Sequence, residues 1–323
     1  MNRPAIQASL LETAQPAARS PYVTARDGTK LFVQDWGNGK PVLLLSAWTF
    51  DASIWGSHIE ALTAKGFRCV APDRRGHGRS EMPSTGYDLE TLTDDVAAVI
   101  EARDLRDVTL VGFSMGTVEA VNYLGRYGSD RIARLVLVAP TTPFLVQTED
   151  NPDAVPREMI EAGHTAIARD FAKWIAANEA PFFLPETPEI TRSWIRDMMM
   201  RVPLPVALAC RKTISFSDLR AAAASIDRPT LILHGDKDAS APLPLTGAQD
   251  RKADQGQQAR CLRRRPASAA ADAWRAGHCG HARLHGGLRE AQLALTMSAR
   301  RVRAAQMNRS APSVVVTAAE SRE

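Results

Sequence analysis

Gly112-Phe113-Ser114-Met115-Gly116 follows the apolar run Val108-Thr109-Leu110-Val111 and precedes a segment, Thr117 to Tyr127, with helical patterning. A β-branched strand, a Gly-x-Ser-x-Gly turn and a helix in immediate succession make the pattern of a nucleophile elbow. A serine hydroxyl becomes a useful nucleophile only when it is held clear of its neighbours and offered to a base. A tight strand-to-helix turn does this. The two glycines keep side chains out of the bend, and the helix that follows directs backbone N–H groups toward a developing oxyanion. Glycine and serine are also common in ordinary turns; the strand before and the helix after favour the elbow.

On the N-terminal side, Tyr22-Val23-Thr24-Ala25 and Leu31-Phe32-Val33-Gln34-Asp35-Trp36 flank Arg26-Asp27-Gly28-Thr29, which predicts a β-hairpin. Pro41-Val42-Leu43-Leu44-Leu45 is continuously apolar, as a strand buried on both faces of a parallel sheet would be. Ser53 to Lys65 carries Ile54, Ile59 and Leu62 on one helical face and stops at Gly66. A strand at Phe67-Arg68-Cys69-Val70-Ala71 and a helix from Leu92 to Arg103 lead to the elbow. Beyond it, Leu135-Val136-Leu137-Val138-Ala139 reads as another strand. Strands alternating with helices predict a doubly wound, mostly parallel sheet. Residues 142 to 225 break the alternation: they are helical, rich in Trp, Phe, Met and Pro, and read as an inserted cap. Its Phe182, Phe183, Trp194, Ile195, Met198 and Met199 either line an acyl pocket or pack the cap on the sheet. The alternation resumes at Thr230-Leu231-Ile232-Leu233.

The chain has 323 residues, 45% hydrophobic and 24% charged, which are globular values. No apolar run is long enough to span a membrane. Residues 1–21 lack the apolar core of a signal peptide and predict a disordered leader on a cytoplasmic protein. Cys69, Cys210, Cys261 and Cys279 are too scattered for a metal or redox motif, so reduced thiols are expected. Residues 251–323 hold one Lys and thirteen Arg against five acids, a net of +9, which leaves −5 for residues 1–250 of the overall +4. Arginine density alone permits nucleic-acid binding, but no aromatic interleaving or binding motif accompanies it.

Asp73-Arg74-Arg75-Gly76-His77-Gly78-Arg79-Ser80, the elbow, and His234-Gly235-Asp236-Lys237-Asp238, in that order and spacing, resemble the α/β-hydrolase superfamily. Thr141-Thr142-Pro143-Phe144 followed by Asn151-Pro152-Asp153 is similar to its cofactor-free haloperoxidase and arylesterase-like branch. The resemblance covers about residues 22–249 and implies an α/β-hydrolase fold with a helical cap, no metal, haem or flavin, and a small ester or acyl substrate. It implies Ser114 as nucleophile, the N–H groups of Met115 and Trp48 as oxyanion hole, and Asp238 as the acid of a Ser-His-Asp triad. Phe144 and Trp194 are the candidate substrate-pocket residues. Ser46-Ala47 stands where the family commonly has His-Gly, and alanine is small enough to keep the hole. Thr49 stands where perhydrolases of the branch often have proline, which favours ester hydrolysis over haloperoxidase or perhydrolase chemistry. Asp236 reads as loop-structuring, His234 and His77 as structural, and His58 and His164 as fillers on helical faces. A non-catalytic homologue whose pocket binds a small molecule is the alternative outside enzymes; neither nucleic acid nor membrane is an expected partner, and homo-oligomerisation is left open.

The family's base is expected some thirty residues after the acid, beyond one more strand. Ala267-Ser268 stands there, in an arginine- and alanine-rich stretch without strand periodicity. Read one nucleotide later, synonymous codons for residues 251–268 permit Ala-Lys-Leu-Ile-Lys-Gly-Ser-Lys-Leu-Val-Val-Tyr-Asp-Gly-Ala-Pro-His, with the histidine codon spanning Ala267 and Ser268. The expected organisation is therefore a leader at 1–21, core at 22–141, cap at 142–225, core at 226–250, and an out-of-frame, disordered tail at 251–323, with the last strand and helix missing or disrupted. The rival is a folded C-terminus that recruits His278, His281 or His285 as base. Ester hydrolysis impaired by the missing base is the expected activity.

Overall fold

The computed structural model describes residues 19–183, 186–235, 238, 246 and 258–262. The strands are β1 (Tyr22–Thr24), β2 (Lys30–Trp36), β3 (Pro41–Leu45), β4 (Arg68–Pro72), β5 (Val108–Phe113), β6 (Ile132–Val138), β7 (Thr230–Gly235) and β8 (Gln258–Leu262). They form one sheet in the order β1-β2-β4-β3-β5-β6-β7-β8. The β1–β2 hairpin is antiparallel, as the Asp27-Gly28 turn predicts, and β2 also runs antiparallel to β4; the pairs from β4 onward are parallel.

Alternation within the strands puts apolar side chains on both faces. From β3, Val42 and Leu44 enter one cluster with Trp48, Phe113 and the cap residues Phe171 and Met198. Leu43 and Leu45 enter the other, with Val96 and Ile100 of α2 (Leu89–Ala102) and Val118 and Val121 of α3 (Met115–Tyr127). The helix expected over Ser53–Lys65 divides into a 3-10 turn, Ala52–Trp55, capped by Asp51 accepting from Ser53 N–H at 2.9 Å, and α1 (Gly56–Thr63). α2 begins a turn earlier than its apolar stripe because Asp88 caps it, accepting from Thr91 N–H at 2.9 Å.

The inserted segment is helical: α4 (Arg157–Arg169), α5 (Phe171–Asn178), α6 (Glu189–Met200) and α7 (Leu204–Phe216) each place a side chain in the first cluster, Ile167, Phe171, Met198 and Val206 respectively. The last helix of that segment, α8 (Arg220–Ala224), packs instead beside α3, with Leu219 and Ala223 in the second cluster. The expectation that the last strand is missing or disrupted is corrected in one place: Gln258–Leu262, although without strand periodicity, pairs parallel with β7, Ile232 opposite Ala259. Backbone pairing along an open edge needs no alternating sequence. The leader at 1–18 and the remainder of the tail lie outside the described residues.

Candidate active site

The elbow turns where β5 meets α3. Ser114 has φ 50° and ψ −111°, a conformation that a residue with a Cβ rarely adopts. Its N–H donates to Val138 O on β6 at 2.9 Å, and its carbonyl accepts from Thr117 N–H at 2.9 Å and from Thr141 Oγ1 at 3.4 Å. From Val108 to Leu124, Ser114 alone escapes burial. A Cβ on Gly112 would stand 2.5 Å from Gly116 O, and one on Gly116 would strike Leu45 O, so both glycines are required by close backbone approach. Met115, fully buried, opens α3 with its N–H at the helix N-terminus.

β3 and β5 are neighbours with Leu45 opposite Gly112, so the loop after Leu45 emerges about 4.8 Å from the elbow strand. Ser46, Ala47, Trp48 and Thr49 in that loop are all buried. Thr49 takes φ 62°, and its hydroxyl donates to Trp48 O at 2.6 Å. The Trp48 indole N–H reaches across to Ala207 O on α7 at 2.8 Å, and the ring meets Phe171 and Trp174 edge-on. Ser46 Oγ accepts from the Trp55 indole at 3.0 Å.

Arg74 holds this loop from below. It donates to Ser46 O at 2.7 Å and Ala47 O at 3.2 Å, and its Nε and Nη2 form a bidentate pair with Glu119 of α3 at 2.5 and 2.8 Å. Burial pulls the Arg74 pKa down, but the Glu119 carboxylate more than offsets this and holds it above its usual value. A trans peptide points its C=O and N–H in opposite directions. Anchoring Ala47 O on Arg74 therefore fixes the direction of Trp48 N–H. Sequence reasoning passed over this pair. Its signal was a glutamate set among Val118, Ala120 and Val121 on a buried face of α3.

Asp238 lies beyond the carboxyl end of β7, buried, with its N–H donating to Gly235 O at 3.2 Å. Its Oδ2 is 3.4 Å from His234 Nε2, and neither side chain is exposed. His77 is tied to its own loop through Nδ1 donating to Arg75 O at 3.0 Å. Burial first, and the nearby Arg74 charge second, lower its pKa to about 3, which makes it a poor proton acceptor. His58 is buried edge-on to Trp55, and His164 Nε2 lies 3.3 Å from Ser215 Oγ. Asp236, Ala267-Ser268, His278, His281 and His285 lie outside the described residues. Burial pushes the thiols of Cys69 and Cys210 up to about 12, which leaves them unreactive.

Trp194 borders the cluster that contains Trp48, Phe50, Phe113 and Met115. Beside it, Phe50, Trp174, Ile175, Phe183, Ile195 and Met199 line an apolar recess. Phe144 packs beneath the Arg220 guanidinium, 5.0 Å from its ring centre. A larger open groove of about 780 Å³, lined by Phe32, Trp36, Arg79 and Arg201 among others, includes none of Ser114, Trp48 and Met115.

A family model described as alpha/beta hydrolase fold matches residues 40–187. A non-heme haloperoxidase of Rhodococcus erythropolis is 36% identical over 233 residues, 69% of this chain and 84% of that protein. The chain belongs to the α/β-hydrolase superfamily, in its cofactor-free haloperoxidase-like branch. A bifunctional esterase/perhydrolase of Acinetobacter calcoaceticus is similar at 33% identity over 238 residues, 70% of this α/β-hydrolase and 85% of the relative. The crystal structure of a bromoperoxidase from Bacillus anthracis superposes with a TM-score of 0.75 at 28% identity, covering 86% of this chain and 99% of that one. Among the described residues no helix is long and apolar enough to cross a membrane.

Proposed function

We propose that this α/β-hydrolase cleaves carboxylic esters through an acyl-enzyme on Ser114. The observation that carries the reading is the elbow itself: a serine held at φ 50°, left partly exposed in an otherwise buried segment, beside two candidate oxyanion donors. Ser114 Oγ attacks the ester carbonyl, the N–H groups of Met115 and Trp48 receive the developing oxyanion, and the alcohol leaves; water then releases the acid. A histidine oriented by Asp238 accepts the serine proton and returns it to the leaving alcohol. The acyl chain occupies the recess beside Trp194. A fluorophosphonate probe tests this, because an activated serine reacts quickly. In a chain whose frame is restored by removing one base at codon 250, labelling that maps to Ser114 and disappears in Ser114→Ala supports the reading; no labelling of that restored chain refutes it in favour of a binding homologue.

The base is supplied, in our reading, by the histidine encoded across Ala267 and Ser268 in the shifted frame. In that frame synonymous codons for Gln258–Leu262 permit Lys-Leu-Val-Val-Tyr, and Gln258–Leu262 is the stretch that pairs with β7 as β8. An apolar strand there would suit its place in the sheet. The chain as written would turn over slowly, since serine enzymes without their base fall by several orders of magnitude.

Perhydrolysis is a second reading, favoured by the relatives' names as haloperoxidase and esterase/perhydrolase. Hydrogen peroxide would then replace water at the acyl-enzyme and yield a peracid. Halide-dependent chlorination of monochlorodimedone with acetate and peroxide reads it out. Ester cleavage without halogenation would eliminate it.

A further inference from the structure

Arginines drawn into the sheet domain meet carboxylates: Arg74 meets Glu119, Arg75 meets Asp95 and Asp27, and Arg68 and Arg103 meet Asp35. Arg211 on α7 does not. It is half-buried and makes no ion pair or side-chain hydrogen bond among the described residues. Its guanidinium lies over the Trp48 ring, 5.7 Å from the centroid. Lys212 is next in the chain, and Arg211 and Lys212 both act to lower the pKa of His164 on α4, against a smaller opposing effect of Glu161 on the same helix. Burial likewise depresses the pKa of Arg211. A desolvated guanidinium without a counter-ion is unfavourable, and its planar fork matches a carboxylate.

The same tryptophan offers its N–H to the proposed oxyanion and its ring to Arg211. We propose that Arg211 is a specificity-determining residue that receives a carboxylate carried on the acyl part of the substrate, so that half-esters of dicarboxylic acids are preferred over neutral esters. This rests on the reading of Ser114 as an ester-cleaving nucleophile. Backbone N and ring centre of one tryptophan are about 5 Å apart, so the guanidinium stands within roughly 11 Å of Trp48 N–H, a gap that an acyl chain of about four to six carbons bridges. The contact would be a charge-assisted bidentate pair, shielded by the cap and the indole.

Calorimetric titration of the full chain with monomethyl glutarate and with dimethyl glutarate tests this without requiring turnover. The intact protein is expected to bind the half-ester at least tenfold more tightly than the diester. Arg211→Gln brings that ratio to about one, and Arg211→Lys, which keeps the charge and loses the fork, gives an intermediate ratio. A ratio of one in the intact protein overturns the proposal, as does a ratio unchanged in both variants. Fluorophosphonate labelling of Ser114, run on the chain restored by removing one base at codon 250, reports separately whether the ester-hydrolase reading stands.

Discussion

Replacing Arg74 with methionine removes a cation from a site where both partners are buried, with side-chain exposures of 6% for Arg74 and 4% for Glu119. Methionine fills much of the volume, so the main loss is electrostatic: the Glu119 carboxylate stays buried without its counter-charge. Breaking one side of such a pair costs about 3–5 kcal/mol. Removing both charges in Arg74→Met/Glu119→Gln should restore most of that, since a paired and a neutral core differ far less than a paired and a half-paired one. Urea unfolding followed by tryptophan fluorescence measures both, with an unchanged m-value confirming that only stability moved. The active site should respond differently. Neither variant can donate to Ser46 O and Ala47 O, so in both the Ala47–Trp48 peptide keeps only the 3.2 Å bond from Phe50 N–H to Ala47 O and the Trp48 N–H is held less firmly. Loss of one oxyanion donor lowers reactivity about 10²–10³-fold, and with both parent and variants carried in the chain restored at codon 250, the fluorophosphonate labelling rate of the double variant should remain low although its stability returns. An Arg74→Met variant within about 1 kcal/mol of the parent, or a double variant that labels at the parent rate, would refute the assignment of Arg74 as the residue that positions the loop.

Three further outcomes are expected. His77 has a folded-state pKa of about 3 because it is buried as the neutral ring, so between that value and the ordinary 6.5 the unfolded chain binds the extra proton. Its contribution is full above pH 6.5 and is lost as pH falls toward 3, about 5 kcal/mol in all. His77→Asn, which keeps an amide donor but no titration, should flatten the slope of unfolding free energy between pH 6 and pH 4, and equal slopes would reject the cause. Gly116→Ala should destabilise by roughly 3 kcal/mol, because the new methyl group meets the Leu45 carbonyl oxygen; a melting temperature within about 2 °C of the parent would show that the elbow can relax. Deleting one base at codon 250 should raise p-nitrophenyl acetate hydrolysis by several orders of magnitude, whereas equal activity in both proteins would mean that a histidine already present acts as base.

The elements set by local chemistry were legible in the sequence. Apolar runs of four or five residues became β3, β5, β6 and β7, the Asp27-Gly28 turn became the β1–β2 hairpin, and Gly-x-Ser-x-Gly became an elbow because its glycines leave room for backbone contact. These features follow from periodicity and from steric limits within a few residues of chain, so they needed no knowledge of distant neighbours. Other features depended on partners far apart in sequence. Arg74 and Glu119 are 45 residues apart, and nothing local says that one carboxylate under α3 neutralises the arginine that grips the Ser46-Ala47 loop. Trp48 is joined to Ala207 across 159 residues, and the same contact with α7 brings Arg211 over its ring. β8 was invisible for a related reason: an edge is completed by backbone hydrogen bonds, which carry no side-chain pattern. The sequence by itself determined the sheet, the serine and the turn that presents it. Tertiary structure decided which charges are paired, which loop is held rigid, and which arginine faces a tryptophan with no acid among the described residues, because burial and pairing are properties of three-dimensional neighbours.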